Sequence, residues 1–449
     1  MDAVTEAIAT HAVGLTYADI PPNAMHGMKT RLLDSVACAL GGIASEPVAI
    51  ARKLAGATQG EPPARVWFSG ERTSVELAAF ANALMVRYLD FNDTYLVREG
   101  GHPSDTIAPT LAIADAFGLS GRDALVALVA AFETAASLSE VERLGPANLD
   151  HSLHVAVGAT VGASRVLGLN QQQTGHAIAI TVTSNPSLRI ARDGRLSMWK
   201  AASAANAAKN GVFNARLASL GMTGPGDAYL APSGLAGLLP EPTAVPSFDG
   251  FRTHRSSLKM FPAQYNAQAP IWAALELRAQ LAGEAPGAMP ETIVVTTYGR
   301  AVGSAADPAK WQVHDRETAD HSIPYVVAVA LTDGEVTPAQ FTPERITDPT
   351  VQALLARVEV REDPQMSAAF PSAQAARIVA WVDGKSYTAY VPNSRGNAQN
   401  PLSDAEIEAK FRSLAHSVLE EDRVDGVLAR LWAFDEEPTV SAWAKSLDV

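Results

Sequence analysis

Apolar residues recur at helical spacing through most of the first 245 residues of this chain, and this pattern limits the fold more than any other feature of the sequence. The spacing is carried by the segments MKTRLLDSVACALGG, SVELAAFANALMVRY, RDALVALVAAFETAASL, SLHVAVGATVGASRVLGL and KAASAANAAKNGVFNARLASLG. Apolar positions three and four residues apart lie on one face of a helix. Alanine, which is abundant in these segments, is the strongest helix former. The sequence therefore predicts a large, close-packed helical domain.

The pattern changes after the proline-containing loop at residues 238–251. Strand-length runs rich in β-branched and aromatic residues follow: ETIVVTTYG (291–299), ARVEVRE (356–362), ARIVAWVD (377–383) and SYTAYVP (386–392). Asp383-Gly384 joins the last two runs, which predicts a β-hairpin. We expect helices among these strands, one after Pro262 and one in HSIPYVVAVALTDG (321–334).

The chain turns helical again after Pro401, where Ser403 and Glu406 form a capping box at the start of AEIEAKFRSLAHSVL. A length of 449 residues exceeds what one compact core usually holds. We therefore predict a mainly α protein with an α+β insertion. Residues 1–246 and 394–449 would form a large all-helical domain, and residues 247–393 a smaller α+β lid domain.

Composition disfavours several classes of protein. The net charge is −13 and no basic tract is present, which argues against binding to nucleic acid or to anionic membranes. The longest apolar run, at residues 124–132, is shorter than the roughly 18 residues of a membrane span, and the N-terminal segment does not resemble a signal peptide. Cys38 is the only cysteine, so we expect neither an intramolecular disulfide nor a cysteine-ligated iron–sulfur cluster. We expect a cytoplasmic protein.

Chemically capable side chains gather in LDFNDTYLVREGGHPSD, residues 89–105, between two apolar helices. Asp90 and Thr94 share one helical face if the preceding helix continues that far. His102 precedes the next helix, whose positive dipole end favours a neutral, proton-accepting imidazole. We interpret Asp90, Thr94 and His102 as site residues, and the following Ser104-Asp105 as a solvated loop with a helix cap.

Two histidines lie three residues apart in LDHSLHVAVG, residues 149–158, at the start of an apolar helix. Such a pair could bind a metal, but the motif contains no further metal ligands of the usual kind. We therefore favour His151 as a single polar site residue and His154 as a core residue, and we expect no metal.

Three arginines and a lysine crowd into SLRIARDGRLSMWK, residues 187–200, of an otherwise acidic chain. Guanidinium groups bind carboxylates through two parallel hydrogen bonds, so this cluster suits a polycarboxylate. Lys259 stands just before Pro262, a residue suited to the first turn of a helix. An anion would bind well at such a helix N-terminus.

These stretches together resemble the MmgE/PrpD family, the 2-methylcitrate dehydratase group that also contains cis-aconitate decarboxylase and iminodisuccinate epimerase. The matching segments, in family order, are DFNDT…GHPSD (90–105), LDH…LGL (149–169), SMWKAASAANAAKNG (197–211), LKMFPAQYNAQ (258–268) and ADHSIPYVVAVALTDG (319–334). The resemblance implies a large helical domain, a smaller α+β lid domain, a homodimer and a cleft between the domains.

The resemblance also implies which residues form the site. In family members the polar site is built from positions that match an aspartate, a histidine, a threonine and two lysines of this chain. Dehydratase-type members have a further histidine. The catalytic residues that we predict are Asp90, His102, His151, Lys200 and Lys259. The substrate-binding residues that we predict are Thr94, Arg189, Arg192, Tyr298 and His321.

The family's chemistry needs no cofactor, which agrees with the single cysteine. We expect a lyase that removes water from a small tricarboxylate, most like 2-methylcitrate dehydratase. Lys200, Lys259 and the nearby arginines would hold carboxylates and stabilise the enediolate-like charge that develops. His102 or Asp90 would be the base, and His151 would protonate the departing hydroxyl.

Other functions stay open at this stage. Decarboxylation of cis-aconitate and epimerisation of an iminodiacid also begin by labilising a bond next to a carboxylate. A non-catalytic helical binding or dimerisation protein is the remote alternative. The methylcitrate branch has a His/Arg-rich stretch where this chain has NSRGNAQNPLSD (393–404), in which Arg395 is the only basic residue. The substrate is therefore open within the family.

Overall fold

The structure is a computed structural model and describes residues 1–448. Its first half is built from helices with two short strand pairs. The helices are α1 (Ala3–Gly14), α2 (Pro22–Gly42), α3 (Glu46–Gly56), α4 (Val75–Arg87), α5 (Ile107–Phe117), α6 (Gly121–Val141), α7 (Ser152–Val166), α8 (Gln171–Ser184) and α9 (Trp199–Ser219). The antiparallel pairs are β1 (Pro63–Arg65) with β2 (Arg72–Ser74), and β3 (Tyr95–Leu96) with β4 (Gly100–Gly101).

The second part of the chain contains a four-stranded sheet in the order β6–β5–β7–β8. Its strands are β5 (Thr292–Thr297), β6 (Val358–Glu362), β7 (Ala376–Val382) and β8 (Lys385–Val391). The β5–β6 pair is parallel and the other pairs are antiparallel. The helices here are α10 (Gln268–Glu284), α11 (Gly299–Ala305), α12 (Arg316–Ala319), α13 (Ile323–Asp333), α14 (Pro343–Ile346), α15 (Pro349–Leu355) and α16 (Pro364–Ala369). Helix α10 packs on β7 and β8, and α13 packs on α10 and β6.

The β7–β8 hairpin confirms the prediction made from Asp383-Gly384. Both residues have positive φ angles, 50° and 77°. A two-residue turn with this geometry matches the right-handed twist of the flanking strands, and Asp-Gly adopts it readily.

Three C-terminal helices return to the first part of the chain: α17 (Asp404–Ala415), α18 (Glu421–Trp432) and α19 (Val440–Ser446). The capping box of Ser403 and Glu406 is present at the start of α17. Phe411 and Trp443 are fully buried in the same hydrophobic core as helices α2 and α4–α7.

Small residues allow the central helices to pack closely, as the alanine-rich pattern predicts. A Cβ atom at Gly158 of α7 would lie only 2.7 Å from the Ala131 carbonyl oxygen of α6. Gly211 of α9 lies equally tightly against the backbone of α7. These contacts exclude any larger side chain, so the glycines fix how the three helices sit together.

Two hydrophobic cores confirm the mainly α fold with a small α+β region. Leu258 belongs to the first core and Phe261 to the second, and the chain returns to the first core between Val391 and Leu402. We call residues 1–258 and 402–448 the helical part, and residues 261–391 the α+β part. The domain limits at 246/247 and 393/394 stay a prediction.

Several local expectations were wrong. The helix expected after Pro262 begins only at Gln268, so Lys259 does not stand at a helix N-terminus. Helix α4 ends at Arg87 and does not carry Asp90 and Thr94 on one helical face. The short strand β1 covers only Pro63–Arg65 and ends before Phe68, whose φ angle of 62° lies outside the strand region.

Helix α6 is long and apolar enough to cross a membrane by length and composition alone, although its longest unbroken apolar run is short. The helix pair α2 and α3 also passes this test, with a bend of 95° between the two. However, 89% of the most apolar window of α6 is buried inside the fold, which is the packing of a central core helix.

Candidate active site

A cavity of about 670 Å³ lies between the helical part and the α+β part. Both parts contribute to its walls. Seven of the ten predicted site residues line it: Asp90, Thr94, His102, His151, Arg189, Arg192 and His321. The other three, Lys200, Lys259 and Tyr298, lie behind the wall and are almost fully buried. The sequence therefore located the cavity, but three of its residues do not line it.

Asp90 reaches the site through an unusual backbone conformation. Its φ angle is +49°, a left-handed conformation that Asp tolerates better than most residues. This turn ends α4 and directs the chain to Thr94, whose backbone N–H and carbonyl pair with Ser257 at 2.8 Å in both directions. The bridge to Ser257 holds the Asp90 loop against the segment that carries Lys259.

Buried cations surround the Asp90 carboxylate. Lys259 Nζ donates to Asp90 Oδ1 at 2.6 Å, and Arg87 Nη1 donates to the same oxygen at 2.6 Å. Lys200 Nζ lies 4.0 Å from Asp90 Oδ2 and donates to both oxygens of Asp320 at 2.8 and 2.9 Å. Three buried cations thus face two buried carboxylates, and the cluster has one net positive charge.

The charges of this cluster decide its protonation. Burial raises the pKa of Asp90, but Arg87, Lys259 and Lys200 together hold that pKa well below its ordinary value. Asp90 is therefore an ionised carboxylate and a weak base.

Three of these residues could in principle bind a metal ion, because Asp90, Asp320 and His321 bring ligand atoms within 4.8 Å of one another. Their carboxylate oxygens already accept from lysine ammonium groups, so the site does not suit an added cation.

Lys200 and Lys259 differ from their predicted placement. We expected them to hold substrate carboxylates, whereas their ammonium groups pair with Asp320 and Asp90 behind the cavity wall. Lys259 also donates to the Asp90 backbone carbonyl at 2.6 Å. In this structure the two lysines act on the cavity through the charge and position of Asp90.

His102 has both ring nitrogens occupied. Nδ1 lies 2.6 Å from the Asp93 carbonyl oxygen, which can only accept, so Nδ1 carries the hydrogen. Nε2 therefore accepts from Arg87 Nη2 at 3.0 Å. Burial and the charges of Arg87 and Lys259 hold the pKa of His102 well below its ordinary value. The imidazole is neutral, as expected, but its lone pair is already used by Arg87.

His151 is the histidine at the cavity with an unused nitrogen. Its Nε2 is buried and has no hydrogen-bond partner among residues 1–448, while Nδ1 lies 3.7 Å from Asp150 Oδ2. Its ring packs edge-on against His102 with ring centres 5.3 Å apart. Burial lowers the pKa of His151 to about 4, although Asp150 opposes this. A neutral imidazole with a free nitrogen can accept a proton.

His321 and Tyr298 come from the α+β part. His321 bridges two carboxylates, with Nδ1 2.6 Å from Asp320 Oδ1 and Nε2 3.3 Å from Asp90 Oδ2. Burial and Lys200 lower the pKa of His321 to about 4. Tyr298, which we predicted to bind substrate, does not line the cavity in this structure. Its hydroxyl donates to Asn266 Oδ1 at 2.7 Å, and Asn266 lines the cavity in its place.

Several residues of the site escaped the sequence analysis. Arg87 joins Asp90 to His102, yet it ends an apolar helix and looks like a surface arginine. Asp320 is adjacent to His321 in a segment that the family resemblance had already marked. His154 was correctly expected in the core, where Nε2 pairs with Glu142 Oε2 at 2.7 Å.

Ser104 and Asp105 are buried, so their interpretation as a solvated loop was wrong. Asn92 Nδ2 donates to Ser104 Oγ at 2.9 Å and to Asp105 Oδ1 at 2.8 Å. Burial raises the pKa of Asp105 to about 7, against the opposing charge of Arg87. Asp105 Oδ2 lies 3.7 Å from Arg87 Nε, so a carboxyl beside Arg87 changes charge near neutral pH.

Asp105 should make the stability of the folded chain depend on pH. A carboxyl whose pKa is raised on folding stabilises the native state at low pH, and this contribution is lost as pH rises towards about 7. Between pH 4 and 7, the wild type should lose this contribution and Asp105→Asn should not. The unfolding free energy of the variant should therefore rise relative to that of the wild type by up to about 4 kcal/mol. Denaturant titrations across this range test the prediction. Parallel stability curves for the two proteins would contradict it.

The structure thus has a helical part and an α+β part, with a cavity between them that histidine, arginine and acidic side chains line. The family model described as the MmgE/PrpD N-terminal domain matches residues 6–244, and the one described as the MmgE/PrpD C-terminal domain matches residues 261–433. The chain therefore belongs to the MmgE/PrpD family, as the resemblance indicated.

Curated relatives include enzymes of two kinds. Cis-aconitate decarboxylase of Homo sapiens is 26% identical over 444 residues, which cover 95% of this chain and 91% of that protein. 2-Methylcitrate dehydratase of Escherichia coli K12 is 29% identical over 313 residues, and that of Cupriavidus necator is 30% identical over 323 residues. Both dehydratase matches cover 65% of this chain but only 63% of the relative. The family of this chain is thus a family of enzymes.

Proposed function

We propose that this chain is a cofactor-free lyase that removes water from a small tricarboxylate, most nearly 2-methylcitrate. The observation that carries the proposal is the unpaired Nε2 of His151 at a cavity that four arginines also line. A buried polar atom without a partner needs an explanation, and at a cavity lined by charged side chains a catalytic role is one such explanation. The relatives named as 2-methylcitrate dehydratases support the choice of substrate.

His151 is the base in this proposal, which reverses the role expected from sequence. Asp90 is held ionised by three cations, and the His102 lone pair accepts from Arg87. His151 Nε2 competes with no such partner. It takes the proton from the carbon next to a substrate carboxylate, and the bound polyanion raises the pKa of His151, which favours this transfer.

The buried cluster stabilises the charge that this step creates. Proton removal places negative charge on the carboxylate that becomes an enediolate. The cluster of Arg87, Lys200 and Lys259 with Asp90 and Asp320 has one net positive charge in a site of low dielectric constant. Such preorganised charge is a large contribution to catalysis, because it needs no rearrangement during the reaction.

Elimination of water then completes the reaction. The electron pair of the broken C–H bond forms the carbon–carbon double bond, and the neighbouring C–O bond breaks. The His151 imidazolium returns its proton to the departing hydroxyl, which leaves as water. His102 contacts Asp93, Arg87 and Thr94 and so holds Arg87 and Thr94 in position. In this proposal it does not itself transfer a proton.

Decarboxylation of cis-aconitate is the second candidate function. The human decarboxylase matches 95% of this chain, a larger share than the dehydratases match. Loss of carbon dioxide leaves a carbanion next to a carboxylate, so the same charged cluster would stabilise it and a protonated His151 would quench it. Epimerisation of an iminodiacid uses the same proton abstraction and stays the third alternative.

Product identity tests the proposal. The purified protein should convert 2-methylcitrate to 2-methylaconitate and water, as followed by proton NMR, and should act more slowly on citrate, cis-aconitate and iminodisuccinate. Rapid release of carbon dioxide from cis-aconitate would favour the second candidate. If none of the four acids reacts and none raises the melting temperature, the protein is a non-catalytic binding or dimerisation protein and the proposal is wrong.

The assembly and the location of the protein stay predictions. We expect a homodimer in the cytoplasm. Leu188, Ile190 and Trp199 are exposed beside the cavity, at 64%, 73% and 50% of their surface, and such apolar side chains are typical of surfaces that bind a partner.

A further inference from the structure

Four arginines line the cavity, and they fall into two pairs. Arg87 and Arg192 donate to protein groups: Arg87 to Asp90 and His102, with only its buried Nε unpaired, and Arg192 to Asp150 and the Lys200 backbone carbonyl. Arg189 and Arg300 make no side-chain hydrogen bond within residues 1–448. Their nearest acidic oxygens lie at 3.5 Å (Asp193) and 3.9 Å (Glu99). Only the second pair has guanidinium groups free for a ligand.

Arg300 lies in a hollow that glycine creates. A Cβ atom at Gly100 would lie 2.6 Å from Arg300 Nη2. The next residue, Gly101, lies beside His151, since a Cβ atom there would be 3.9 Å from the imidazole. Arg189 occupies a similar hollow, where a Cβ atom at Gly145 would lie 2.8 Å from its Nη1. Strand β4 thus contacts Arg300 through Gly100 and the proposed base through Gly101.

Glu99 does not account for the position of Arg300. Its Oε2 accepts from the backbone N–H groups of Leu144 and Gly145 at 2.9 and 3.0 Å, and its Oε1 accepts from that of Gly100 at 3.2 Å. Arg300 Nη2 lies 3.9 Å from this carboxylate, which exceeds hydrogen-bonding distance. The guanidinium is 36% exposed at the cavity, so a carboxylate from solution can reach it.

We propose that Arg300, together with Arg189 at the same cavity, binds a terminal carboxylate of the substrate and so selects tricarboxylates over dicarboxylates. This assignment rests on the proposed function and specifies its substrate class. Arg300 comes from the α+β part and Arg189 from the helical part. A carboxylate between them is therefore bound by both parts, and Arg300 acts as a specificity residue without taking part in proton transfer.

The test compares two ligands that differ by one carboxylate. Tricarballylate contains three carboxylates and no hydroxyl, and 2-methylsuccinate is the same molecule with one terminal carboxylate replaced by hydrogen. Binding of each is measured by calorimetry to the wild type and to Arg300→Gln. Loss of a charge-assisted hydrogen bond should weaken tricarballylate binding about tenfold or more, while 2-methylsuccinate binding should change less than about twofold.

A second variant moves the guanidinium without deleting it. Gly100→Ala places a methyl group 2.6 Å from Arg300 Nη2 and 2.7 Å from Leu96 Cδ2. Both atoms are the movable ends of flexible side chains, so the fold should survive while the subsite is lost. It should reproduce the selective loss of tricarballylate. Arg361→Gln is the control, because Arg361 is exposed and pairs only with its neighbour Glu359. It should bind both ligands as the wild type does.

The outcomes separate the two proposals. Equal losses for the two ligands in Arg300→Gln, or unchanged tricarballylate binding, would overturn the assignment of Arg300 and leave the lyase proposal intact. Failure of the wild type to bind tricarballylate would also overturn the assignment of Arg300, whereas the NMR product test alone decides the lyase proposal. A selective loss of tricarballylate in both cavity variants supports the assignment.

Discussion

Replacing His151 with glutamine should lower kcat by about 10³-fold, within the roughly 10²–10⁴-fold that general acid–base catalysis usually contributes. The imidazole lines the cavity and its Nε2 has no partner among the described residues. The other two histidines at the cavity have neighbours at both ring nitrogens: His102 contacts Asp93 and Arg87, and each nitrogen of His321 lies within 3.3 Å of a carboxylate oxygen. Steady-state kinetics on the acid that reacts in the NMR panel measure the loss.

The fold should tolerate this change, which separates catalysis from stability. His151 makes no hydrogen bond through its side chain, and Asp150 keeps its pairing with Arg192. His154→Gln is the matched control on the same helix, since His154 pairs with Glu142 away from the cavity lining. That variant should melt at a lower temperature with kcat nearly unchanged. A His151→Gln enzyme with wild-type kcat would rule out His151 as the base.

The second large effect is on stability. Asp90→Asn should lower the unfolding free energy by about 3–5 kcal/mol, because it leaves buried cations without their shared counter-ion. Lys259 and Arg87 both lie 2.6 Å from Oδ1 of Asp90, whose negative charge is lost in asparagine. The double variant Asp90→Asn/Lys259→Met removes one of these cations as well. Its loss of unfolding free energy should be smaller than the sum of the two single losses by about 1–3 kcal/mol.

Denaturant titration of the wild type, both single variants and the double variant measures this coupling. Glu284→Gln serves as the control, because Glu284 pairs with Lys385 on the surface, where ion pairs contribute little. Its stability should match the wild type. Strictly additive losses at Asp90 and Lys259 would show that the two side chains do not act as one cluster.

The sequence predicted the fold well, because the fold depends on repeated patterns. Helical spacing over many segments and the Asp-Gly hairpin are local signals, and each was confirmed. The start of α10 was missed, because Pro262 was taken as a helix start when the helix begins six residues later. Long periodic segments can be predicted from local patterns, whereas their ends depend on contacts with the rest of the fold.

The site was predicted less completely, for physical reasons. Residue types and motifs indicated which side chains gather, but not which of them pair with one another. Lys200 and Lys259 seemed suited to bind an anion, yet Asp320 and Asp90 satisfy them first. Arg87 and Arg300 lack any motif of their own, and their roles depend on long-range contacts with His102 and with Gly100.

The central claim is that this cavity removes a proton from a carbon next to a carboxylate with side chains alone. NMR of 2-methylcitrate in deuterium oxide, with protein dialysed against a chelator and its metal content measured, tests it most directly. We expect 2-methylaconitate as the product. We also expect the methyl doublet of the recovered substrate to collapse to a singlet as deuterium replaces the neighbouring proton, at a rate that the chelator does not change. Neither product nor exchange, or exchange that stops on chelation and resumes when a divalent metal is restored, would contradict it.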